Sequence, residues 1–241
     1  MGKVSARLKG HMGQHFLPGN PPVELILRRS ARARRISLRV SSLDGRVTLT
    51  LPRGVAEAEA LAFAREKEAW LRKHLDKRQS DVTVGFGAVL PVEGVLREVV
   101  PGAGRAVRLL EDRLEVPGAP ERVGTRLAAW LKHLARDRLA AASDDYAAQI
   151  GRGYNRISLR DTRSRWGSCT ADGGLMYSWR LILAPPEALD YVAAHEVAHL
   201  QEMNHSPAFW AVVERLCPNY ETHRRWLRHE GTGLHRYRFG N

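Results

Sequence analysis

The stretch His195-Glu196-Val197-Ala198-His199-Leu200-Gln201-Glu202-Met203-Asn204-His205 decides how the sequence is read. On an α-helix, residues four apart project from one face, about 40° and roughly 6 Å apart along the axis. His195 and His199 so placed can chelate one Zn2+, and Glu196 beside them can serve as general base towards a water. Ala188, Leu189, Val192, Ala193, Val197, Ala198 and Leu200 make the segment strongly apolar, as expected of a buried active-site helix.

A catalytic zinc site takes three protein ligands and leaves one position open. Glu202 falls on the same helical face as His199 but further along the axis. His205 faces away if the helix continues. Ser206-Pro207 reads as an N-cap with proline at the first position of a new helix, 208–213, so the first helix must break. Pro207 disfavours helical geometry at Ser206, and Asn204 tolerates the left-handed conformation of a turn. The chain is expected to reverse just before His205 and bring it to the metal, which makes His205 the preferred third ligand.

Upstream of this helix, Ile157-Ser158-Leu159 reads as a strand. Ser164-Arg165-Trp166-Gly167-Ser168-Cys169 and residues 175–183 read as a hairpin around Asp172-Gly173-Gly174, leading through Pro185-Pro186 into the helix. Residues 121–149 carry a long helical pattern. The first half reads differently. Residues 23–27, 36–40 and 47–51 alternate as half-buried strands, with a turn at Asp44-Gly45, and 55–78 read as a helix with Trp70 in the core. Short β segments fill 82–116. The expected class is α+β. A basic tail (1–22) precedes an N-terminal β-rich subdomain with a helix (23–118), and a catalytic domain (119–241) follows the break at Pro117-Gly118-Ala119-Pro120.

The 241 residues carry a formal net charge of +12, unevenly spread: residues 1–80 hold 17 Lys/Arg against 7 Asp/Glu, net +10. Arg28, Arg29, Arg32, Arg34, Arg35 and Arg39 form a dense run, either a solvated strand face or a contact for nucleic acid or nucleotide phosphates. No apolar stretch reaches the roughly 18 residues of a membrane span, and the first 22 residues lack the apolar core of a secretory signal. With only Cys169 and Cys217, reduced thiols and a cytoplasmic location are expected.

Four blocks in order, S-R-W-G-S-C (164–169), W-R-L-I-L-A-P (179–185), Y-V-A-A-H-E-V-A-H-L (191–200) and N-H-S-P-A-F-W (204–210), resemble the YgjP-like metallopeptidase family. The arginine-rich strands and the helix ending in Trp70 also look like that family. The resemblance implies a zincin-like catalytic half: a small sheet beside the H-E-x-x-H helix. It also implies zinc on His195, His199 and His205, with Glu196 as catalytic base. Similar helices occur in SprT/Spartan-type proteases, which act on DNA-bound proteins. Ser178 stands where the family pattern usually has Asn. The three-histidine spacing also matches metzincins, but Glu202 replaces their glycine and no Met-turn follows.

The expected activity is zinc-dependent hydrolysis of peptide bonds in a peptide or protein substrate. One alternative is a nucleoside triphosphate hydrolase, which the arginine surplus suits. Another is a non-catalytic nucleic-acid-binding protein braced by zinc, although such a site has no need of Glu196. Arg163 and Arg165 are candidates for an oxyanion or phosphate contact, Trp166 for packing or a substrate platform, and Tyr191, one turn before His195, for support of the ligands. Cys169 is either a switch ligand or a buried thiol. Residues 223–238, rich in His and Arg, read as a basic C-terminal helix and tail.

Overall fold

The computed structural model describes residues 15–41, 44–76 and 80–240, and the chain divides into two compact units, Met1–Gln79 and Ser80–Asn241. Residues 1–14 of the expected basic tail lie outside the described residues. The rest of that tail is not all irregular, because His15–Leu17 forms a strand.

In the first unit, β1 (His15–Leu17), β2 (Val23–Arg29), β3 (Ser37–Val40) and β4 (Val47–Leu51) form one sheet in the order β1-β2-β4-β3. β2 runs parallel to β4, and the other pairs are antiparallel. Alternation explains the faces: Val23, Leu25 and Leu27 of β2 and Val47, Leu49 and Leu51 of β4 are buried, while their neighbours are not. The single helix expected over 55–78 is two helices, α1 (Glu57–Glu66) and α2 (Glu68–Asp76), separated where Lys67 leaves helical geometry (φ −94°, ψ 11°). They bury Ala60, Ala64 and Leu71 on the sheet residues. Trp70, expected in the core, is 43 % exposed because the buried face of α2 is centred on Leu71. All six arginines of the basic run are exposed; Arg29 donates hydrogen bonds to the carbonyls of Arg53 and Val55.

The second unit begins with β5 (Val82–Thr83), followed by β6 (Val89–Val92), β7 (Val95–Pro101), β8 (Arg108–Leu109) and β9 (Arg113–Val116). The last four make a sheet ordered β6-β7-β9-β8. Its buried Leu90, Val92, Val99, Leu114 and Val116 share one core with α3 (Val123–Gln149) and with the H-E-x-x-H helix. The boundary expected at 118/119 is therefore not where the chain divides. Pro117-Gly118-Ala119-Pro120 is a turn inside one core, and the division falls between 79 and 80.

Helix α3 buries Leu127, Leu131, Ala135, Leu139, Ser143 and Ala147, one residue every fourth, and lays this stripe along α4 (Pro186–Ala198). Three further strands form a separate small sheet: β10 (Arg156–Arg160), β11 (Gly167–Cys169) and β12 (Gly174–Ser178), in the order β10-β12-β11. β10 is parallel and β11 antiparallel to β12; both are edge strands, and β11 is the one beside Glu196. The strand expected to run to 183 stops at Ser178. Trp179–Leu183 is a 3-10 turn, buried throughout, which explains why an unbroken apolar run read as strand. Within it, Arg180 grips both carboxylate oxygens of Asp161 (2.6 and 3.1 Å) and donates to the carbonyls of Leu234 and Tyr237. That anchors the C-terminal segment. α5 (Pro207–Leu216), α6 (Tyr220–His229), a 3-10 turn at Gly231–Arg236 and β13 (Tyr237–Arg238), parallel to β5, close the unit.

Candidate active site

Helix α4 ends at Ala198, earlier than the position just before His205 that the sequence suggested. His199 occupies the C-cap, and the chain then turns through Leu200–Gln201. Asn204 does not take the left-handed conformation expected of it; among the described non-glycine residues only Glu93 has positive φ. The next helix starts as the sequence predicts. Ser206 caps α5, its Oγ accepting a hydrogen bond from Phe209 N (3.4 Å), and Pro207 follows at the first position. His205 thus precedes a well-defined helix start.

These two helix ends bring His195, His199 and His205 together, with one ring nitrogen from each within 4.8 Å of the others. His205 Nε2 lies 3.1 Å from His195 Nε2. His199 Nδ1 is 3.0 Å from the carbonyl of Glu202. Donation to that carbonyl fixes the tautomer and leaves the Nε2 lone pair available for coordination. Glu202 therefore enters through its backbone. Burial, reinforced by the neighbouring His199 and His205, pushes His195 down to about 3, and burial also lowers His199, so both are neutral at physiological pH, as metal ligands must be. Phe209, fully buried, is the common floor: its ring lies 4.9, 4.4 and 4.8 Å from those of His195, His199 and His205. Trp210 stacks on His205 from outside. The donor set, three imidazole nitrogens brought together at the end of one helix and the start of the next, suits a metal ion.

Glu196 is one of the few buried carboxyls, at 5 % exposure. Burial pushes it up to about 8, against the pull of the Arg165 guanidinium and of the Cys169 backbone amide, which hydrogen-bonds to it. It faces β11. A Cβ placed on Gly167 would sit 2.5 Å from Glu196 Oε1, so only glycine lets the edge strand lie this close to the carboxyl.

The cleft in front of Glu196 is about 460 Å3. Arg163, Arg165, Trp166 and Tyr191, all singled out from sequence, line it. Tyr191 packs edge-on against His195, and burial raises its hydroxyl to about 12. Trp166 stacks on His235 and lies against Gly231, where a Cβ would come within 2.9 Å of the indole. Cys169 is half-buried, is raised to about 11 by burial and is not among the clustered donors. Sequence reasoning missed Phe209, Trp210, Arg224, Arg228 and His235. The last three belong to the segment read as a basic tail, which instead forms a wall of the cleft. The i, i+4 spacing of Arg224 and Arg228 was the available signal.

The family model for the YgjP-like metallopeptidase domain matches residues 34–230. The chain belongs to this family. A metal ion is thereby implied, and the YgjP-like match contains the whole histidine cluster and Glu196. No curated protein matches the chain. Among solved structures, the crystal structure of the metallopeptidase zymogen of Pyrococcus abyssi abylysin is similar over 38 % of this chain and 95 % of that one, at 18 % identity and a TM-score of 0.35. None of the described helices of this YgjP-like chain is long and apolar enough to cross a membrane.

Proposed function

We propose that the protein is a zinc-dependent metallopeptidase, with His195, His199 and His205 as the zinc ligands and Glu196 as general base. The observation that carries this reading is the buried Glu196 carboxyl, held between the histidine cluster and the edge of β11. One ring nitrogen from each of the three histidines lies within 4.8 Å of the others, so the three would hold one ion together. Imidazole ligands also suit copper, iron and nickel. A set of three histidines with an adjacent glutamate base favours zinc.

Zinc, when bound, supplies a Lewis acid that lowers the pKa of water towards neutrality. An extended substrate adds alongside β11 as a further strand, pairing with backbone groups of that edge other than the Cys169 amide, which Glu196 engages. The Glu196 carboxylate takes a proton from the attacking water and returns it to the leaving amine nitrogen. The Cys169 amide and Arg165 pull that carboxyl towards its charged form against the burial that raises it, and a bound dication would add to their pull. Tyr191 and Arg165 line the cleft where the carbonyl oxygen gains charge. The free thiols Cys169 and Cys217 fit a reducing compartment, and the reading includes a cytoplasmic location. A zinc-braced nucleic-acid module does not account for a buried carboxyl beside the histidines; a triphosphate hydrolase would use the same base, and the family match favours the peptidase over it.

The test is Glu196→Gln. The variant should keep about one zinc per chain by elemental analysis and lose peptide hydrolysis by about 10²–10⁴-fold. Full activity in the variant would remove the base from the mechanism.

A further inference from the structure

The cleft in front of Glu196 is unusually cationic. Arg163 and Arg165 enter from the segment before β11, and Arg224 and Arg228 from one face of α6. Glu196 is the only carboxylate in its lining. Among the described residues none of the four guanidiniums lies within ion-pair distance of a carboxyl group, although Arg165 attracts Glu196 and Arg163 attracts Asp161 at longer range. Some arginines of the unit are paired, Arg180 with Asp161, Arg138 with Glu93 and Arg238 with Asp81, and others stand singly on the surface; these four instead converge on one cavity. Four like charges around one cavity repel, and the apolar wall of Tyr191, Val192 and Leu227 weakens solvent screening. Core packing gives no reason for this, since Arg163, Arg165 and Arg228 are exposed.

Their positions tie them to the reacting groups. The Arg224 guanidinium lies 4.5 Å above the Trp210 ring, which in turn stacks on His205. That contact restricts the side chain, so less entropy is lost when it binds an anion. Arg165 and Arg228 line the same cleft as Glu196 and Tyr191.

We propose that this cleft selects acidic peptides, with Asp or Glu side chains near the scissile bond held by Arg224 and Arg228 on one wall and by Arg163 and Arg165 on the other. Guanidinium forks match carboxylates in bidentate geometry, and a cleft of one sign also draws in oppositely charged substrate. The proposal rests on the peptidase reading, because it assigns the anion to a peptide. Inorganic triphosphate represents the competing anion.

The test uses the zinc-loaded Glu196→Gln protein and fluorescence anisotropy. Three decapeptides share an apolar centre and differ only in having Glu, Gln or Lys flanks. At low salt the Glu-flanked peptide should bind at least about tenfold more tightly than the Gln-flanked one, with Lys weakest, and salt should narrow the gap. Adding Arg224→Glu and Arg228→Glu should invert the order. The milder pair Arg224→Gln and Arg228→Gln should abolish it, with circular dichroism confirming the fold. Arg122→Glu with Arg152→Glu, an equal change of net charge at exposed sites away from the cleft, should leave the order intact. Equal binding of Glu and Gln peptides, or an order that survives both Arg224/Arg228 pairs, overturns the proposal. So does displacement of nothing but inorganic triphosphate, which would make the cleft a phosphate site. Acidic preference in binding, with no hydrolysis by the wild type, would count against the peptidase reading alone. Indiscriminate hydrolysis with no binding preference would count against this proposal alone.

Discussion

Gly167 and Glu196 are in contact across the active site: the backbone of the edge strand lies so close to the carboxyl that a single methyl group on Gly167 would overlap Oε1, Cγ and Cδ of Glu196, at 2.5–2.8 Å. The strand that is proposed to receive the substrate and the base proposed to act on it are therefore set by the same contact. Gly167→Ala should displace Glu196 without touching the histidines. The expected outcome is loss of peptide hydrolysis by on the order of 10²-fold with zinc content unchanged. Peptide assays alongside elemental analysis check it, and an alanine variant of wild-type activity would show that the carboxyl has room to move.

The third ligand can be tested against its competitor. His205→Ala should weaken zinc binding and activity together, whereas Glu202→Gln should leave both nearly unchanged, because Glu202 acts through its carbonyl on His199. Chelator competition reads the affinities. The reverse pattern would return the ligand role to Glu202.

Phe209 touches all three imidazoles and is fully buried. Phe209→Leu should lower zinc affinity by on the order of tenfold, the lower end of what loss of a ligand-orienting neighbour costs. Phe209→Ala should in addition destabilise the zinc-free protein by about 3–5 kcal/mol. Denaturant unfolding without zinc separates the two effects; unchanged affinity in the leucine variant would reduce the ring to filler.

His235 gives a pH dependence with a definite sign. It is buried against Trp166, and burial, aided by Arg180, pushes it down to about 4 from an ordinary value near 6.5. The unfolded chain then binds the proton more readily, so stability is full above about 6.5 and falls as pH drops towards 4, by at most about 1.4 kcal/mol per pH unit. Asp161, held low by Arg180 against partial desolvation, adds a loss only below its ordinary value of 3.8. The stability advantage of wild type over His235→Gln, measured by denaturant unfolding at pH 7, 6 and 5, should therefore shrink with acid. A constant difference would show that His235 does not titrate in this window.

Much of this was legible in the sequence, for local reasons. The H-E-x-x-H helix, the Ser206-Pro207 start of α5 and the alternation in β2 and β4 are each set by neighbours in the chain. The YgjP-like family match agrees with the resemblance carried by the four blocks. What misled was context from far along the chain. Pro117-Gly118-Ala119-Pro120 has the composition of a linker, yet the strands before it and α3 after it fill one core. Trp179–Leu183 is apolar enough for a strand but turns, because Arg180 must reach Asp161 and the carbonyls of Leu234 and Tyr237. Arg224, Arg228 and His235 looked like a solvated tail, since nothing nearby in sequence shows that they meet the H-E-x-x-H helix.

The three clustered histidines lie within one stretch of eleven residues, 195–205, whereas Glu196 is braced by Gly167 and Cys169, some 27 residues earlier. Short-range structure closes early in folding and pairings between distant segments close late, because loop closure costs more entropy as the loop lengthens. Metal capture and catalytic competence are thus expected to be separate events on the folding path. Refolding in the presence of zinc should show metal uptake before peptide hydrolysis returns, with the lag set by docking of β11; simultaneous recovery would mean that the histidines wait for the strand.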